Sequence, residues 1–390
     1  MDISVSQTVS ERYAAGAARP EQELCCAVDY DPAYLKAIPR EVIERDYGCG
    51  DPSRYLNAGE TVLDLGSGSG KICFIAAQIV GPAGQVIGVD MTPEMLALAR
   101  RSAPKVAENI GYANVEFRRG HIQDLRTDLD LMDTYLRDHP VAGTEDYARF
   151  QELLARQRQE RPLIADDSID VIVSNCVLNL VSDAEKDQLF TEMYRVLRPG
   201  GRIAVSDIVS DKPSPAHLKE DPDLWSGCVS GALQEAEFLT RLQQVGFYGC
   251  RIDKLDAKPW RIVEGIEYRA ATIVAWKEPE GLSIDKNQAV IYRGPWTRVE
   301  DDDGHSLVRG QRMAVSEKTF EVLTRAPYTD DIIPVPPHVR VEEDRPFDCG
   351  RDAARASQET KRGVAPVTTE AGETCSLDAC GPKTETPCCS

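Results

Sequence analysis

Three glycines at alternate positions, Gly66, Gly68 and Gly70, follow a short apolar run that ends at Leu65. Glycine allows a sharp turn and a close approach to a ligand, because no Cβ stands between the backbone and that ligand. A dinucleotide-binding loop of the form G-x-G-x-x-G would need glycine where this chain has Lys71. The observed G-x-G-x-G spacing instead suits an amino-acid moiety, which brings no pyrophosphate to the loop.

The acidic residue Asp90 ends the next apolar run, where its carboxylate is placed to accept hydrogen bonds from both hydroxyls of a ribose. The turn Pro199-Gly200-Gly201 matches one that is common before the fifth strand of methyltransferases. Together these features predict an S-adenosylmethionine-dependent methyltransferase, and Lys71 disfavours the alternative, a nicotinamide-dependent enzyme. The predicted cofactor contacts are Asp64, Gly66, Gly68, Gly70, Asp90, Met91, Ile122 and Asn175.

The chain has twelve cysteines, and several of them follow predicted strands or loops at one edge of the fold. Cys176 comes directly after an apolar strand and Cys228 after the loop that follows the fifth strand, so both reach the edge where α/β sheets bind ligands. Cys49 stands in Gly48-Cys49-Gly50, ahead of the first strand. These scattered cysteines lack the close C-x-x-C pairs of a structural zinc site, and thiols that converge on one cleft suit a soft ion with three sulfur ligands. Core packing is the alternative for each cysteine, because free cysteine is a common buried residue.

Strands and helices must alternate to bring these residues together. The pattern predicts strands at 61–65, 85–90, 115–118, 169–173 and 202–206, helices at 72–80 and 93–107, a helix that ends at 197, and two later strands near 250–255 and 270–276. The expected fold class is α/β, with a doubly wound, mostly parallel seven-stranded sheet of the Rossmann-like class I methyltransferase type. A small C-terminal β unit and a cysteine-containing tail are expected to follow.

The domain organisation is inferred from changes in composition along the chain. We expect a helical and loop segment over 1–58 that carries Cys25, Cys26 and Cys49, a methyltransferase domain over 59–278, a small β unit over 279–330, and a disordered tail over 331–390. An insertion at 126–162 interrupts the methyltransferase domain. Its residues Tyr147, Phe150 and Leu154 have helical spacing, which predicts a packing or lid helix.

The overall charge and hydropathy limit the partners of the protein. A net charge of −19 argues against nucleic acid, because phosphate binding needs concentrated lysine and arginine. No apolar run approaches the ~20 residues of a membrane span. The segment Met1-Asp2-Ile3-Ser4 has neither the basic start nor the apolar core of a secretory signal. We therefore expect a cytoplasmic enzyme that acts on a small molecule.

Several short motifs resemble those of arsenite methyltransferases. They are Tyr47-Gly48-Cys49-Gly50, Asp64 to Gly70, Gly88-Val89-Asp90-Met91-Thr92, Ser174-Asn175-Cys176-Val177-Leu178-Asn179-Leu180 and Ser206-Asp207. The resemblance spans roughly residues 20 to 277, and its most specific parts are Tyr-Gly-Cys-Gly and Ser-Asn-Cys. Two features depart from the family pattern: Ser226-Gly227-Cys228 replaces the usual Gly-Glu-Cys, and the insertion is long.

The resemblance implies roles for four cysteines. Cys176 and Cys228 match the pair that binds arsenic, and Cys49 matches the third ligand, which also enters the redox cycle. The fourth functional cysteine matches Cys26 or its neighbour Cys25. Arsenic(III) bound by thiolates keeps a lone pair for attack on the sulfonium methyl group, so no general base is needed. Methyl transfer oxidises arsenic, and we expect two protein thiols to return the electrons by forming a disulfide, which glutathione or thioredoxin later reduces.

Two other functions fit parts of the sequence. One is methylation of a small organic acceptor such as a quinone, in which case the cysteines belong to the core. The other is a non-enzymatic protein that sequesters metalloids through its tail, whose Cys388-Cys389 pair could chelate soft ions. Cys73, in the helix after the glycine loop, is expected to be a core residue under every interpretation.

Overall fold

The computed structural model describes residues 12–14, 16, 28, 30–45, 47–279, 281–347 and 353–368. The chain divides into two compact units, residues 1–280 and 281–390. None of the helices in the described residues is long and apolar enough to cross a membrane.

The first unit is built around one large sheet. Its strands are β1 (Thr61–Leu65), β2 (Gln85–Asp90), β3 (Val115–Arg119), β4 (Ile169–Asn175), β5 (Leu197–Ser210), β6 (Phe247–Leu255), β7 (Arg261–Val263) and β8 (Ile266–Lys277). The strand order is β3-β2-β1-β4-β5-β8-β6, and the short β7 pairs with β8. Strands β1 to β5 pair in parallel, whereas β8 runs antiparallel to β5 and β6. The predicted doubly wound, mostly parallel sheet is confirmed.

Helices cover both faces of this sheet. In chain order they are α1 (Pro32–Leu35), α2 (Arg40–Glu44), α3 (Lys71–Val80), α4 (Pro93–Ile110), α5 (Leu129–Asp138), α6 (Thr144–Glu160), α7 (Asp183–Val196), α8 (Ala216–Lys219), α9 (Pro222–Ser226) and α10 (Glu235–Val245). Single-turn 3₁₀ helices at Pro52–Tyr55 and Leu178–Leu180 lie between them.

The alternation of side chains along the central strands explains why both faces are covered. Val171 and Val173 of β4 belong to the apolar cluster that contains α3 and α4. Ile172, between them, belongs to the cluster that contains α7 and α10. A strand whose successive side chains all meet apolar partners reads as a continuous apolar run, which is the pattern that predicted it.

The insertion forms two helices, α5 and α6, where the sequence predicted one. The side chain of Gln157 is buried and ties the end of α6 to the root of the insertion, donating from Nε2 to the carbonyl of Arg126 at 2.9 Å. Arg158 pairs with Asp124 at 3.0 Å. Tyr147, one of the residues that predicted the helix, is 55% exposed.

The second unit is made of small antiparallel sheets. Its elements are β9 (Ile284–Asp285), β10 (Ala289–Tyr292), β11 (Arg298–Glu300), β12 (Ser306–Val308), β13 (Arg312–Ala314), α11 (Glu317–Leu323), β14 (Ile332–Val335), β15 (Arg345–Pro346) and α12 (Ser357–Thr360). One sheet has the order β13-β10-β14, and β11-β12 and β15-β9 form two-stranded ribbons.

The expectation of disorder from residue 331 onward was wrong for its first part. Strand β14 pairs with β10, and Ile332 is buried. The Pro and Glu content of this region suggested disorder, but β14 is an edge strand, where Pro334 interrupts no ladder to a further strand. Cys375, Cys380, Cys388 and Cys389 of the tail lie outside the described residues.

Candidate active site

The glycine loop connects β1 to α3 and has an unusual backbone. Gly66, Gly68 and Gly70 have φ values of 71°, 52° and 91°, in the left-handed region that favours glycine. A Cβ on Gly66 would lie 2.4 Å from Cγ1 of Val177, whereas one on Gly68 would point into open space. The loop is therefore pressed against the segment after β4 at one residue and open at the next, which fits a ligand lying over Gly68.

Asp90 at the end of β2 faces the same loop. Its Oδ2 accepts from the backbone N–H of Gly68 at 2.9 Å, and its Oδ1 from that of Thr92 at 2.8 Å. Burial raises the pKa of Asp90, and these backbone donors oppose that rise. Each carboxylate oxygen retains acceptor capacity beyond one hydrogen bond, so two ribose hydroxyls can still be received.

A cavity of about 940 Å³, part of it open to solvent, lies above the loop. Five of the predicted cofactor contacts line it: Gly66, Gly68, Asp90, Met91 and Ile122. Cys176 also lines it, which places one of the predicted cysteines at this cavity. The mixed apolar and polar lining is typical of a small-molecule site.

Three of the predicted cofactor contacts do not line this cavity. Asp64 lies beneath the loop, where its carboxylate accepts from the thiol of Cys73 at 3.2 Å. Gly70 packs against a phenyl ring, since a Cβ there would meet Phe117 at 2.7 Å. The amide of Asn175 is engaged by the loop that carries Cys49, as its Oδ1 accepts from the Cys49 N–H at 2.9 Å.

Sequence reasoning missed other residues of the cavity wall. They include Tyr13, Arg45, Tyr47, Gln123 and Glu185. Tyr47 carried a signal, because it begins the Tyr-Gly-Cys-Gly motif. Tyr13 and Arg45 carried none, since Tyr13 lies in a short helical stretch and Arg45 directly follows α2, and both reach the cavity only through the tertiary fold.

The three cysteines singled out from the sequence come together. Cys49 and Cys176 form a disulfide with a Cα–Cα distance of 5.9 Å. Cys228 is buried, and its Sγ donates to the carbonyl of Cys176 at 3.1 Å. Thus Cys176, at the end of β4, contacts one partner from before β1 and one from after α9.

Two of these three cysteines have strained backbones. Cys176 and Cys228 each have a φ of 59°, which residues with a Cβ rarely adopt. The N–H of Cys176 donates to the carbonyl of Ser206 at 2.8 Å, which fixes this turn to β5. Strain that the surrounding fold maintains at two neighbouring thiols is typical of a functional site.

Asp207 of β5 lies beside the disulfide. One of its carboxylate oxygens lies within 4.8 Å of both Sγ atoms, those of Cys49 and Cys176. The carboxylate also accepts from the N–H of Leu178 at 2.9 Å and from the amide of Asn179 at 2.8 Å. Burial raises the pKa of Asp207 to about 7, so below that pH the neutral carboxyl adds no negative charge beside the sulfurs.

Part of the N-terminal segment covers the thiols. The Tyr13 hydroxyl lies 3.9 Å from Sγ of Cys228, and its ring meets the ring of Tyr47 edge to face at 6.2 Å. Arg12 donates to the Ser226 hydroxyl at 2.8 Å. Cys26 and Cys25, between which the fourth functional cysteine was to be found, lie outside the described residues.

Comparison with known proteins agrees with this geometry. A family model described as a methyltransferase domain matches residues 56–246, and one described as a domain of unknown function (DUF8838) matches residues 279–365. Among solved structures, CrArsM, an arsenic(III) S-adenosylmethionine methyltransferase from Chlamydomonas reinhardtii, has a TM-score of 0.53 and 28% sequence identity, covering 82% of this chain and 100% of that chain. The sheet, the glycine loop and these matches define a class I S-adenosylmethionine-dependent methyltransferase.

Curated relatives identify the family within this class. The arsenite methyltransferase of Aquipseudomonas alcaligenes is 37% identical over 317 residues, which cover 77% of this chain and 81% of that protein. The arsenite methyltransferase of Halobacterium salinarum is 43% identical over 211 residues, 54% of this chain and 43% of that protein. This chain belongs to the arsenite methyltransferase family.

Proposed function

We propose that this enzyme transfers a methyl group from S-adenosylmethionine to arsenic(III) held by the thiolates of Cys49, Cys176 and Cys228. The convergence of these three cysteines, distant in sequence, beside the cofactor cavity is the observation that supports the proposal most strongly. Thiolates are the preferred ligands of soft ions such as arsenic(III). Arsenite and its thiol conjugates are accordingly the proposed substrates.

The cofactor cavity provides the groups that would hold S-adenosylmethionine. Gly66 and Gly68 form the cradle, Asp90 receives the ribose, and Met91 and Ile122 line the remaining wall. When bound, the cofactor supplies an electrophilic methyl group on a positively charged sulfur. The protein's task is to hold the arsenic in line with that methyl group and to exclude water, and Tyr13 and Tyr47 close the thiol side.

The bound arsenic carries its own nucleophilic lone pair, so the reaction requires no proton abstraction by the protein. Methyl transfer raises arsenic from the trivalent to the pentavalent state. Two thiols of the enzyme then give two electrons to arsenic, which returns to the trivalent state as one S–S bond forms. The Cys49–Cys176 disulfide corresponds to the oxidised enzyme that this step would leave. Two molecules of glutathione, or one reduced thioredoxin, restore the thiols.

The proposed cellular role is detoxification of arsenic in the cytoplasm. Arsenic(III) as arsenite offers three exchangeable positions to thiols. Each methylation replaces one exchangeable ligand by a carbon that thiols do not displace. The product therefore captures fewer protein thiols than the substrate does.

Cysteine substitution tests the proposal directly. We expect Cys176→Ser and Cys228→Ser each to lower the rate of arsenite methylation at least 100-fold, because each removes a sulfur ligand. The control is Cys250→Ser in β6, whose thiol is partly buried and faces the carbonyl of Phe247 at 3.7 Å. Calorimetry should show that all three variants bind S-adenosylmethionine. Wild-type turnover in the Cys176 and Cys228 variants would refute the assignment of the ligands.

A further inference from the structure

Asn175, the residue before Cys176, makes four side-chain hydrogen bonds, and the proposed methyl transfer requires none of them. The Asn175 side chain is buried at the end of β4. Its Oδ1 accepts from the N–H groups of Cys49 at 2.9 Å and Gly50 at 3.1 Å. Its Nδ2 donates to the carbonyl of Gly50 at 2.8 Å and to the hydroxyl of Tyr30 at 3.0 Å.

Only a side-chain amide of this length can make this set. An aspartate has no N–H donor, so it would place an acceptor against the Gly50 carbonyl. The loop also approaches closely, since a Cβ on Gly48 would lie 2.2 Å from Nδ2 of Asn175. The amide therefore holds the backbone of Cys49 from one side, while Gly48 leaves the space that this approach requires.

We propose that Asn175 is a positioning residue for the Cys49–Cys176 thiol pair. It sits next to Cys176 in sequence and binds the backbone of Cys49 in space, so a single side chain sets the separation of the two thiols. This departs from the sequence-based expectation that Asn175 contacts the cofactor. The catalytic meaning of the pair rests on the proposed function, but the positioning itself is independent of arsenic.

The equilibrium constant for disulfide formation between Cys49 and Cys176 depends on this positioning. Oxidised glutathione converts the two thiols to the disulfide: one S–S bond forms in the protein, that of glutathione breaks, and two protons pass to two glutathione thiols. The equilibrium constant is large when the reduced thiols already lie within reach of each other. Without the amide, the reduced Cys49 loop can move away, and a smaller fraction of reduced molecules is ready to close.

The test compares full-length wild type with Asn175→Ala in glutathione redox buffers, in the absence of arsenic. Mass spectrometry of alkylated, digested protein quantifies the linked peptides of Cys49 and Cys176 apart from the other cysteines. We expect the equilibrium constant to fall at least about tenfold, because several buried hydrogen bonds are lost together. The dissociation constant for S-adenosylmethionine, measured by calorimetry, should change less than about threefold, because Asn175 does not line the cavity over the glycine loop.

Two further variants make the outcome decisive. Asn114→Ala is the matched control, because the Asn114 amide also binds backbone carbonyls, those of Ala77 and Gly81, away from the thiols. It should leave the equilibrium constant unchanged. Tyr30→Phe removes only the hydroxyl that bridges Nδ2 of Asn175 and the Gly50 carbonyl. It should lower the constant at least about threefold, because two neutral hydrogen bonds are lost.

Two results would overturn the proposal. One is an unchanged equilibrium constant in Asn175→Ala, which would show that the loop holds its place without the amide. The other is a weakened affinity for S-adenosylmethionine with the constant unchanged, which would return Asn175 to the cofactor. If Asn175→Ala does not fold, Tyr30→Phe decides alone, and an unchanged constant in that variant contradicts the proposal. None of these measurements uses arsenite methylation. Failure of this proposal can therefore be distinguished from failure of the proposed function.

Discussion

Cys176 is the residue around which the candidate site is organised. It is 127 residues from Cys49 and 52 residues from Cys228 along the chain, yet it contacts both. The left-handed backbone of Cys176, fixed to Ser206 of β5, makes these contacts possible. The proposed soft-ion site depends on one strand end that two separate loops approach.

The residue types in the sequence were enough to predict the cysteines and the glycine loop, but not the side chains that hold them in place. Cysteines and closely spaced glycines are informative because few other roles require them at a strand end. An asparagine is less informative, because its amide can bind a cofactor and a neighbouring loop equally well. The true partners of Asn175, the Cys49 and Gly50 backbone groups, depend on the conformation of a distant loop. Only the fold could specify them.

The cofactor loop yields a prediction at Gly66. In Gly66→Ala the new Cβ would collide with Val177, so we expect the KM for S-adenosylmethionine to rise at least about tenfold. The matched control is Gly59→Ala. Gly59 also has a positive φ, of 83°, but a Cβ added there would meet no other atom. Both variants therefore lose about 1–2 kcal/mol of stability to backbone strain, and only Gly66→Ala adds a collision. Steady-state kinetics that show the same KM in both variants would contradict a special role for the loop.

At the scale of elements, the strands were predictable because their burial on both faces leaves continuous apolar runs. The structure extends β5 and β8 well beyond the predicted bounds, as their pairing continues from Arg202–Trp276 to Ser210–Tyr268. Mixed polar residues in these extensions hid them from a search for apolar runs. The insertion differs, because most side chains of its helices are not buried, and the number of helices could not be read from the sequence.

The insertion helices should be among the less stable parts of the first unit. The buried side chains are Met132 in α5 and Gln157 in α6. We therefore expect backbone amides of these helices to exchange hydrogen faster than those of β1 and β4, whose residues are almost all buried. Replacing Gln157 by alanine should accelerate exchange in α6 further, since the bond to the Arg126 carbonyl is lost.

Hydrogen exchange followed by mass spectrometry measures this difference, and the central strands of the same protein are the internal control. Protection of α5 and α6 equal to that of β4 would show that the insertion is a rigid part of the core. It would also favour packing over a lid as the role of this segment.

At the scale of the whole molecule, the chain combines a methyltransferase unit with a small second unit. Composition located the change of character near the boundary but misplaced the end of the second unit. Strand β14 lies in the predicted disordered tail, because the proline and glutamate content of the region after residue 330 suggests disorder; its pairing with β10 orders it. Long-range strand pairing leaves little trace in a single strand's composition.

Truncation tests the extent of the second unit. A chain that ends at residue 330 lacks β14, so β10 loses one of its two neighbours and Ile332 is removed from the apolar cluster. We expect amides of residues 289–292 to lose their protection from hydrogen exchange in this chain. A chain that ends at residue 368 retains β14 and should keep that protection. Equal protection in the two chains would contradict a structural role for β14.

The central claim is that arsenic receives the methyl group. The most direct measurement incubates the reduced full-length enzyme with arsenite, glutathione and S-adenosylmethionine whose transferable methyl group carries deuterium, and then identifies every labelled product by mass spectrometry. We expect methylated arsenic species that carry the label in wild type and their absence in Cys176→Ser. Unchanged arsenite, with the label found on a quinone or another organic acceptor added in parallel, would contradict it.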